Sequence, residues 1–338
     1  MNSERRSGGQ SPTRHTRQHA APTPPPDFLG PEDNGRTSTG FFLPLSALAV
    51  LTLAALIAVV SFLPGARWSS AVIVSVAICG LSAGWPRLTN ATISFVARLC
   101  IALTGIATAF AVAFSRDFRS GVMAFGLGVI LILGVQIFMS PHLKNYSTMD
   151  RVPIGPPDDP ASADEANSYV PAWGQNSTSA SAAASIAAIA IACGGTSWVA
   201  LAANEETRVL VPISAVAVAG IVAGRHVGST FWIRSTVAML AAGLAGLLTA
   251  WGLWSIGLSA AFPPLLQSLA NSSRSTLTPS LVLGLGSALS MGIVVIAISA
   301  LFGEVTRSSS LWERLSRAAL KFLVAVIPVY LIVRLGGF

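Results

Sequence analysis

The chain has 338 residues, of which 52% are hydrophobic and only 10% are charged, and its mean hydropathy is +0.66. This composition supplies too little polar surface for a water-soluble globule of this size, so it predicts a protein of the lipid bilayer. The formal net charge of +7 does not indicate a nucleic-acid partner, because the basic residues are scattered singly and form no face interleaved with aromatic residues.

Residues 1–40 predict a disordered cytoplasmic tail. They are rich in Ser, Gly, Pro and Arg, and they contain too little apolar sequence to offset the entropy of ordering. The apolar stretch 41–63 follows with no convincing cleavage site, so we expect it to remain as a membrane anchor.

Four apolar stretches succeed one another within residues 41–140. Each is close to the roughly 20 residues that a helix needs to cross about 30 Å of hydrocarbon. The stretches are 41–63, 68–85, 91–114 and 120–139. Short connections rich in Pro, Gly and polar residues separate them, so the segment predicts a unit of four membrane helices.

Residues 141–180 break this pattern, because they carry several prolines and acidic residues without helical periodicity. They predict a disordered cytoplasmic linker. A second unit of four membrane helices is predicted for residues 181–303. Its apolar stretches are 182–203, 209–224, 231–254 and 281–302. The loop before the last stretch is longer than its counterpart, and we expect a short interfacial helix near 263–269.

Residues 304–338 predict an amphipathic helix followed by a final membrane helix. Ser310-x-x-Glu313 is a capping box that marks a helix start. The apolar stretch 318–335 comes next and is interrupted by Pro328. Two interpretations remain open, namely nine crossings, or eight crossings with a C-terminal helix that lies on the membrane surface.

An internal repeat relates the two units. Segments 77–110 and 217–251 both carry Ala-x-x-Gly-x-x-Ala-Gly, a charged hinge, and Gly-x-x-Thr-Ala-aromatic, and Gly-Leu-Gly recurs at 126–128 and 284–286. Three matches in one order indicate a duplicated membrane unit. The predicted fold class is therefore all-α: a polytopic membrane protein of about nine transmembrane helices, built from two parallel four-helix repeats plus a C-terminal helix.

The distribution of Lys and Arg predicts the orientation. With the N-terminus in the cytoplasm, eleven Lys and Arg near the ends of the stretches lie inside and six lie outside. This bias favours a multi-pass protein of the cell membrane with a cytoplasmic N-terminus.

Chemistry-bearing motifs are scarce. All fourteen acidic residues lie in the tail, the linker or loops at the ends of the stretches. Proton or sodium coupling usually uses an intramembrane carboxylate or His, so coupling through a buried carboxylate is disfavoured. The sequence shows no nucleophile elbow, phosphate-binding glycine loop or metal-binding His pair. We therefore expect no enzymatic activity, no catalytic or metal-binding residues and no cofactor.

The repeated glycines Gly80, Gly84, Gly220 and Gly224 are the first candidate site. Their small-x3-small spacing allows close helix packing in lipid. The alternative is a substrate path, because short or Gly-interrupted spans at matching positions of two repeats often mark one. Both interpretations stay open.

Arg98 and Arg234 are the second candidate site, with Arg98 placed about two turns into its stretch and Arg234 about one turn into its own. Both would contact lipid headgroups or an anion at the cytoplasmic mouth. The repeat does not align them, because Ala238 occupies the position that corresponds to Arg98.

The Gly-Leu-Gly helix ends in Ser140-Pro141-His142-Leu143-Lys144. With this ending, the duplicated four-span unit resembles a group of actinobacterial multi-pass membrane proteins of unknown function that are sometimes labelled permease-like. The resemblance covers residues 41–303 and implies a lineage, with no known substrate, site residues or mechanism.

Two hypotheses follow for function. The first is a permease-like protein that moves a small or amphipathic solute between the two halves. The second is a non-transporting membrane scaffold that recruits cell-envelope proteins. The lipid bilayer is the expected partner in both, and a polar path between the halves would favour the first.

Overall fold

The structure, a computed structural model, describes residues 44–89, 91, 93–147, 178–228, 230–258, 281–302 and 310–335. The regular secondary structure of these residues is entirely helical, with no β-strand among them. In chain order they form α1 (Leu45–Val60), α2 (Ala66–Thr89), α3 (Phe95–Ser115), α4 (Arg119–Ser147), α5 (Thr178–Gly195), α6 (Ser197–Ala203), α7 (Glu205–Arg208), α8 (Leu210–Gly224), α9 (Phe231–Ser255), a π-helical turn (Leu281–Leu285), α10 (Gly286–Phe302), α11 (Leu311–Ala325) and α12 (Ile327–Leu335). The predicted tail 1–40, most of the predicted linker and the predicted helix at 263–269 lie outside the described residues. Helix α4 continues to Ser147, past the predicted start of the linker at residue 141.

Eight helical segments among the described residues are long and apolar enough to cross a membrane, and α1, with 16 residues, is a shorter apolar helix. At 1.5 Å per residue, α1 extends for about 24 Å, somewhat less than the roughly 30 Å of hydrocarbon. The chain is therefore a multi-pass integral membrane protein, as the composition predicted.

Successive membrane helices alternate in direction, so their termini form two groups. One group contains the starts of α1, α3, α9 and α11 and the ends of α2, α8 and α10, and we call it the basic end. Seven described basic side chains lie there, with Glu313 as the acidic residue: Arg87, Arg98, Arg225, Arg234, Arg314, Arg317 and Lys321. Five lie at the opposite end with three acidic residues: Arg67, Arg116, Arg119, Arg208 and Arg334, with Asp117, Glu205 and Glu206.

Three hydroxyl caps define helix starts at the basic end. The Oγ of Ser94 accepts a hydrogen bond from the amide of Ala97 at 3.2 Å, and the Oγ of Ser310 accepts one from the amide of Glu313 at 3.3 Å. Thr230 caps α9 in the same way. The predicted cap at Ser310 is confirmed. Because Ser94 starts α3 at Phe95, the prediction that Arg98 lies two turns into its helix was wrong, since Arg98 is in the first turn.

The interior is formed by α2, α5–α6, α8 and α11, whereas α3, α4, α9 and α10 present exposed apolar side chains, as lipid-facing helices do. Trp85 is 2% exposed, and its indole N–H donates to the Ala184 carbonyl at 2.8 Å. Trp85 is the last residue of its apolar stretch, a position typical of an aromatic belt at the membrane interface. The hydrogen bond to α5 instead draws the indole into the core.

Helix α11 lies inside the bundle, packed against α1 and α2. The hydroxyl of Ser316 donates to the Leu81 carbonyl at 3.1 Å, and Phe322 and Leu323 are fully buried. Pro328 follows the break at Val326, and α12 then continues the same apolar segment. The C-terminal segment 311–335 therefore packs within the bundle, and it is among the eight segments that are long and apolar enough to cross a membrane.

Candidate functional site

A cavity of about 270 Å³, which we call the basic cavity, opens between the two halves of the chain at the basic end. Its basic lining residues are Arg225, His226, Arg234, Arg317 and Lys321. They come from the end of α8, the first turn of α9 and helix α11. The first turns of α1 and the last turns of α10 complete the wall.

The deeper wall of the basic cavity is apolar. Val50 of α1, Val222 of α8 and Val295 of α10 line it, together with the hydroxyl-bearing Ser46 and Ser299. His226 is exposed, so the cavity is open to its surroundings at this end. A charged rim with an apolar floor suits a ligand that has one charged part and one apolar part.

Neighbouring groups hold two of the cationic side chains in place. Arg317 donates from Nη2 to Glu313 Oε1 and from Nη1 to the Phe302 carbonyl, both at 2.9 Å. Arg234 donates from Nε to the Gly228 carbonyl at 3.0 Å. These contacts fix the guanidinium groups before any ligand arrives, which reduces the entropic cost of binding.

A second cavity, of about 280 Å³, lies between α1 and α8 at the opposite end. Ser61 and Phe62 line it from the end of α1, and Arg208 and Val209 line it from the start of α8. Arg208 reaches across this junction and donates to the carbonyls of Ser61 and Leu63, the latter at 2.6 Å.

One face of α1 connects the two cavities. Ala47, Val50, Ala54, Ile57 and Ser61 recur at intervals of three and four residues, so they share one side of the helix. The first two line the basic cavity, the last lines the second cavity, and Ala54 and Ile57 between them are buried at 2% and 0% exposure. The cavities are thus aligned on the contact between α1 and α8, and about 16 Å of packed side chains separate Val50 from Ser61.

The contact between α2 and α5–α6 is filled by large side chains. Trp85 bridges α2 and α5 through its hydrogen bond to Ala184. The indole N–H of Trp198 on α6 donates to the Phe322 carbonyl at 3.0 Å, and the Trp198 ring stacks on the Phe322 ring at a centroid distance of 5.1 Å. Two buried indoles therefore occupy the space where a path through this side would run.

Arg98 and Arg234, each predicted to contact headgroups or an anion, line different cavities at the same end. Arg98 lines a third cavity, of about 380 Å³, with Arg87 and Trp312, and its guanidinium carbon lies 5.8 Å from the Phe95 ring centroid. Each arginine is the fourth residue of its helix, after a Ser-Phe or Thr-Phe start. The predicted repeat offset of 140 does not align the two arginines, because α9 is four residues longer than α3.

The structure places the four candidate glycines at helix contacts. A Cβ built on Gly220 would lie 2.8 Å from the Ala241 carbonyl oxygen, and one on Gly224 would lie 2.7 Å from the Ala238 Cα, both on α9. A Cβ on Gly84 would overlap the Trp312 carbonyl of α11. A Cβ on Gly80 would lie 3.9 Å from the Ala319 Cβ, an ordinary contact. These geometries describe close packing at three of the four glycines.

Sequence reasoning did not bring the remaining residues of the basic cavity together. Arg225 and His226 follow the sixth apolar stretch, and Arg317 and Lys321 belong to the predicted amphipathic helix. Their shared position near helix ends on one side of the membrane is the signal that could have grouped them. Within the described chain, no group of three or more His, Cys, Asp or Glu residues could hold a metal ion. The basic side chains that line the cavity give it the chemistry to attract an anion.

No protein-family model matches the chain, and neither a curated protein sequence nor a solved structure is significantly similar to it. The class that fold and site define is a multi-pass membrane protein with a cationic cavity at one end.

Proposed function

We propose that the protein is a permease-like membrane protein that moves a small or amphipathic solute along the contact between α1 and α8. The observation that carries this proposal is the pair of cavities at the two ends of that contact. A polar cavity between the halves is the feature that separates a permease from a scaffold, since a scaffold has no need of one.

The proposal includes a duplication of two parallel four-helix repeats, which helix packing supports. Helix α2 packs against α3 as α8 packs against α9, and α3 packs against α4 as α9 packs against α10. The first helices of the repeats are exchanged, since α1 packs on α8 while α5–α6 packs on α2. Each first helix packs on the second helix of the other unit, a reciprocal arrangement that an axis along the membrane normal would produce.

The proposed orientation places the basic end in the cytoplasm of the cell and the N-terminus with it. Lys and Arg accumulate at cytoplasmic ends of membrane helices. Seven described basic side chains against one acidic residue lie at this end, whereas five basic side chains lie against three acidic residues at the other. The basic cavity would then open to the cytoplasm, and the second cavity would face outward.

In this conformation the path is closed between the cavities. Ala54 and Ile57 of α1 are buried, as are Ala217 and Val218 of α8. Transport therefore requires a second conformation in which α1 and α8 separate at the outer side. The hydrogen bonds from Arg208 to the end of α1 close that side, so they would break during the cycle.

Labelling of cysteines tests the proposal without knowledge of the solute. In a background without the three native cysteines, we expect Ala54→Cys to react slowly with a small membrane-impermeant maleimide, because the site opens transiently. Ala77→Cys on α2 is the matched control, because Ala54 and Ala77 are both 2% exposed and both lie in mid-helix. The cysteine of Ala77→Cys should stay unlabelled on the same timescale.

The hypothesis of a non-transporting scaffold gives the opposite result. A bundle that holds one conformation should protect Ala54→Cys and Ala77→Cys equally, and equal protection would refute the permease proposal. Labelling of both at one rate would indicate general loosening and would also count against a specific path.

A further inference from the structure

We propose that the basic cavity binds the phosphate group of a phosphomonoester, either free in the cytoplasm or carried by a lipid. For its role in transport, this inference rests on the proposed permease function. As a binding site, it rests on the cavity alone.

The number of cationic groups in the cavity indicates which class of anion it would bind. Three guanidinium groups and one ammonium group, from Arg225, Arg234, Arg317 and Lys321, line a single cavity of about 270 Å³. A carboxylate satisfies one guanidinium in a bidentate pair. A phosphomonoester carries about 1.5 to 2 negative charges near neutral pH and three acceptor oxygens, so it can engage several cations from different directions.

The positions of the four cationic side chains indicate a formed binding site rather than an exposed basic surface. They come from α8, α9 and α11, and each is half-buried. The Glu313 carboxylate and the Phe302 carbonyl orient Arg317, and the Gly228 carbonyl orients Arg234. Glu313 is not among the cavity residues, so it positions a cation without occupying the cavity.

The location strengthens the electrostatic attraction. The cavity lies at the end of the membrane helices, between water and the apolar interior, and Val50, Val222 and Val295 form its floor. Charges with low-dielectric walls behind them produce a stronger field than charges on an open surface. The apolar floor would accept the non-polar part of the same ligand, as the proposed amphipathic solute requires.

Phosphate titration of the full-length protein in phosphatidylcholine nanodiscs tests the inference. Inorganic phosphate should raise the melting temperature saturably beyond chloride at matched ionic strength, because a ligand that binds the native state stabilises it. Lys321→Gln should raise the dissociation constant for phosphate at least about ten-fold, as expected for the loss of a charged hydrogen bond. Lys321→Arg should restore most of the affinity.

Arg87→Gln is the matched control, since Arg87 is exposed at the same end and does not line the basic cavity. It should leave phosphate affinity unchanged. If Lys321→Gln does not fold, Arg225→Gln on another helix provides the same test. A second arm uses nanodiscs that contain phosphatidic acid, a lipid phosphomonoester.

The outcomes separate the possible sources and the two proposals. Saturable binding of inorganic phosphate that depends on Lys321 supports a soluble ligand. Stabilisation by phosphatidic acid alone, with the same dependence, supports a lipid. No Lys321-dependent effect in either arm, or an equal effect of Arg87→Gln, overturns the inference. If phosphate binds and Ala54→Cys stays unlabelled, the phosphate site is supported and the permease proposal is refuted. If Ala54→Cys is labelled and phosphate does not bind, the permease proposal is supported and the phosphate site is refuted.

Discussion

Replacement of Gly220 by alanine should destabilise the protein, whereas the same replacement at Gly80 should not. The two glycines occupy matching positions of the proposed repeats, and both are half-buried within helices. Their surroundings differ. A Cβ on Gly220 would meet the backbone of α9, 2.8 Å from the Ala241 carbonyl oxygen and 3.1 Å from the Ala242 Cα. A Cβ on Gly80 would meet one methyl group, the Ala319 Cβ at 3.9 Å.

The magnitude follows from two opposing effects. Alanine inside a helix is favoured over glycine by roughly 0.5–1 kcal/mol, because glycine loses more conformational freedom on folding. Overpacking of a filled contact costs about 1–3 kcal/mol, and a backbone atom cannot rotate away as the end of a side chain can. We therefore expect Gly220→Ala to lower the free energy of unfolding by about 1–2 kcal/mol. Gly80→Ala should be neutral or stabilise by up to about 1 kcal/mol.

Unfolding of the purified variants in mixed micelles, titrated with a denaturing detergent, measures this difference. Gly224→Ala should behave as Gly220→Ala does, because its Cβ would lie 2.7 Å from the Ala238 Cα. Equal midpoints for Gly220→Ala and Gly80→Ala would show that α8 and α9 are not in the close contact described. The reasoning from backbone approach would then fail for both glycines.

Two further predictions concern the ends of α1 and α8. Arg208→Gln should lower the free energy of unfolding by about 1–3 kcal/mol, because it removes the hydrogen bonds to the Ser61 and Leu63 carbonyls. It should also speed labelling of Ala54→Cys from the outer side, and an unchanged rate would exclude Arg208 as part of the closure. For orientation, an impermeant reagent applied to intact cells should label Leu63→Cys and spare Val227→Cys, whose native side chains are 48% and 52% exposed. The reverse pattern would invert the proposed topology.

Local sequence patterns predicted the features that depend on neighbouring residues. Apolar stretches of membrane length predicted the helices, and the Ser310-x-x-Glu313 pattern predicted the start of α11. Gln136 is an amide within an apolar stretch, a position typical of a hydrogen bond to a neighbouring helix. Its amide donates to the hydroxyls of Ser181 and Ser185 on α5 at 3.3 and 3.4 Å.

Features that depend on partners distant in the chain could not be predicted in this way. Trp85 has the sequence context of an interfacial aromatic residue, and only the position of the Ala184 carbonyl makes it a core residue. The basic cavity is a similar case. Arg225 and Lys321 belong to separate sequence contexts, and each alone is typical of a helix end that faces headgroups. Their convergence follows from the packing of α11 against α1, which no periodicity in either segment encodes.

Helix α11 also explains the difference between the contact of α2 with α5–α6, which large side chains fill, and the contact of α1 with α8, which has a cavity at each end. It packs against α2, where the absence of a side chain at Gly84 admits its backbone and Ser316 bonds the Leu81 carbonyl. There it fills the side of the bundle that contains α5 and α6, with Phe322 against Trp198. The same helix supplies Arg317 and Lys321 to the basic cavity on the other side. A single helix outside the proposed repeats thus fills the contact between α2 and α5–α6 and contributes two of the four cations that line the basic cavity.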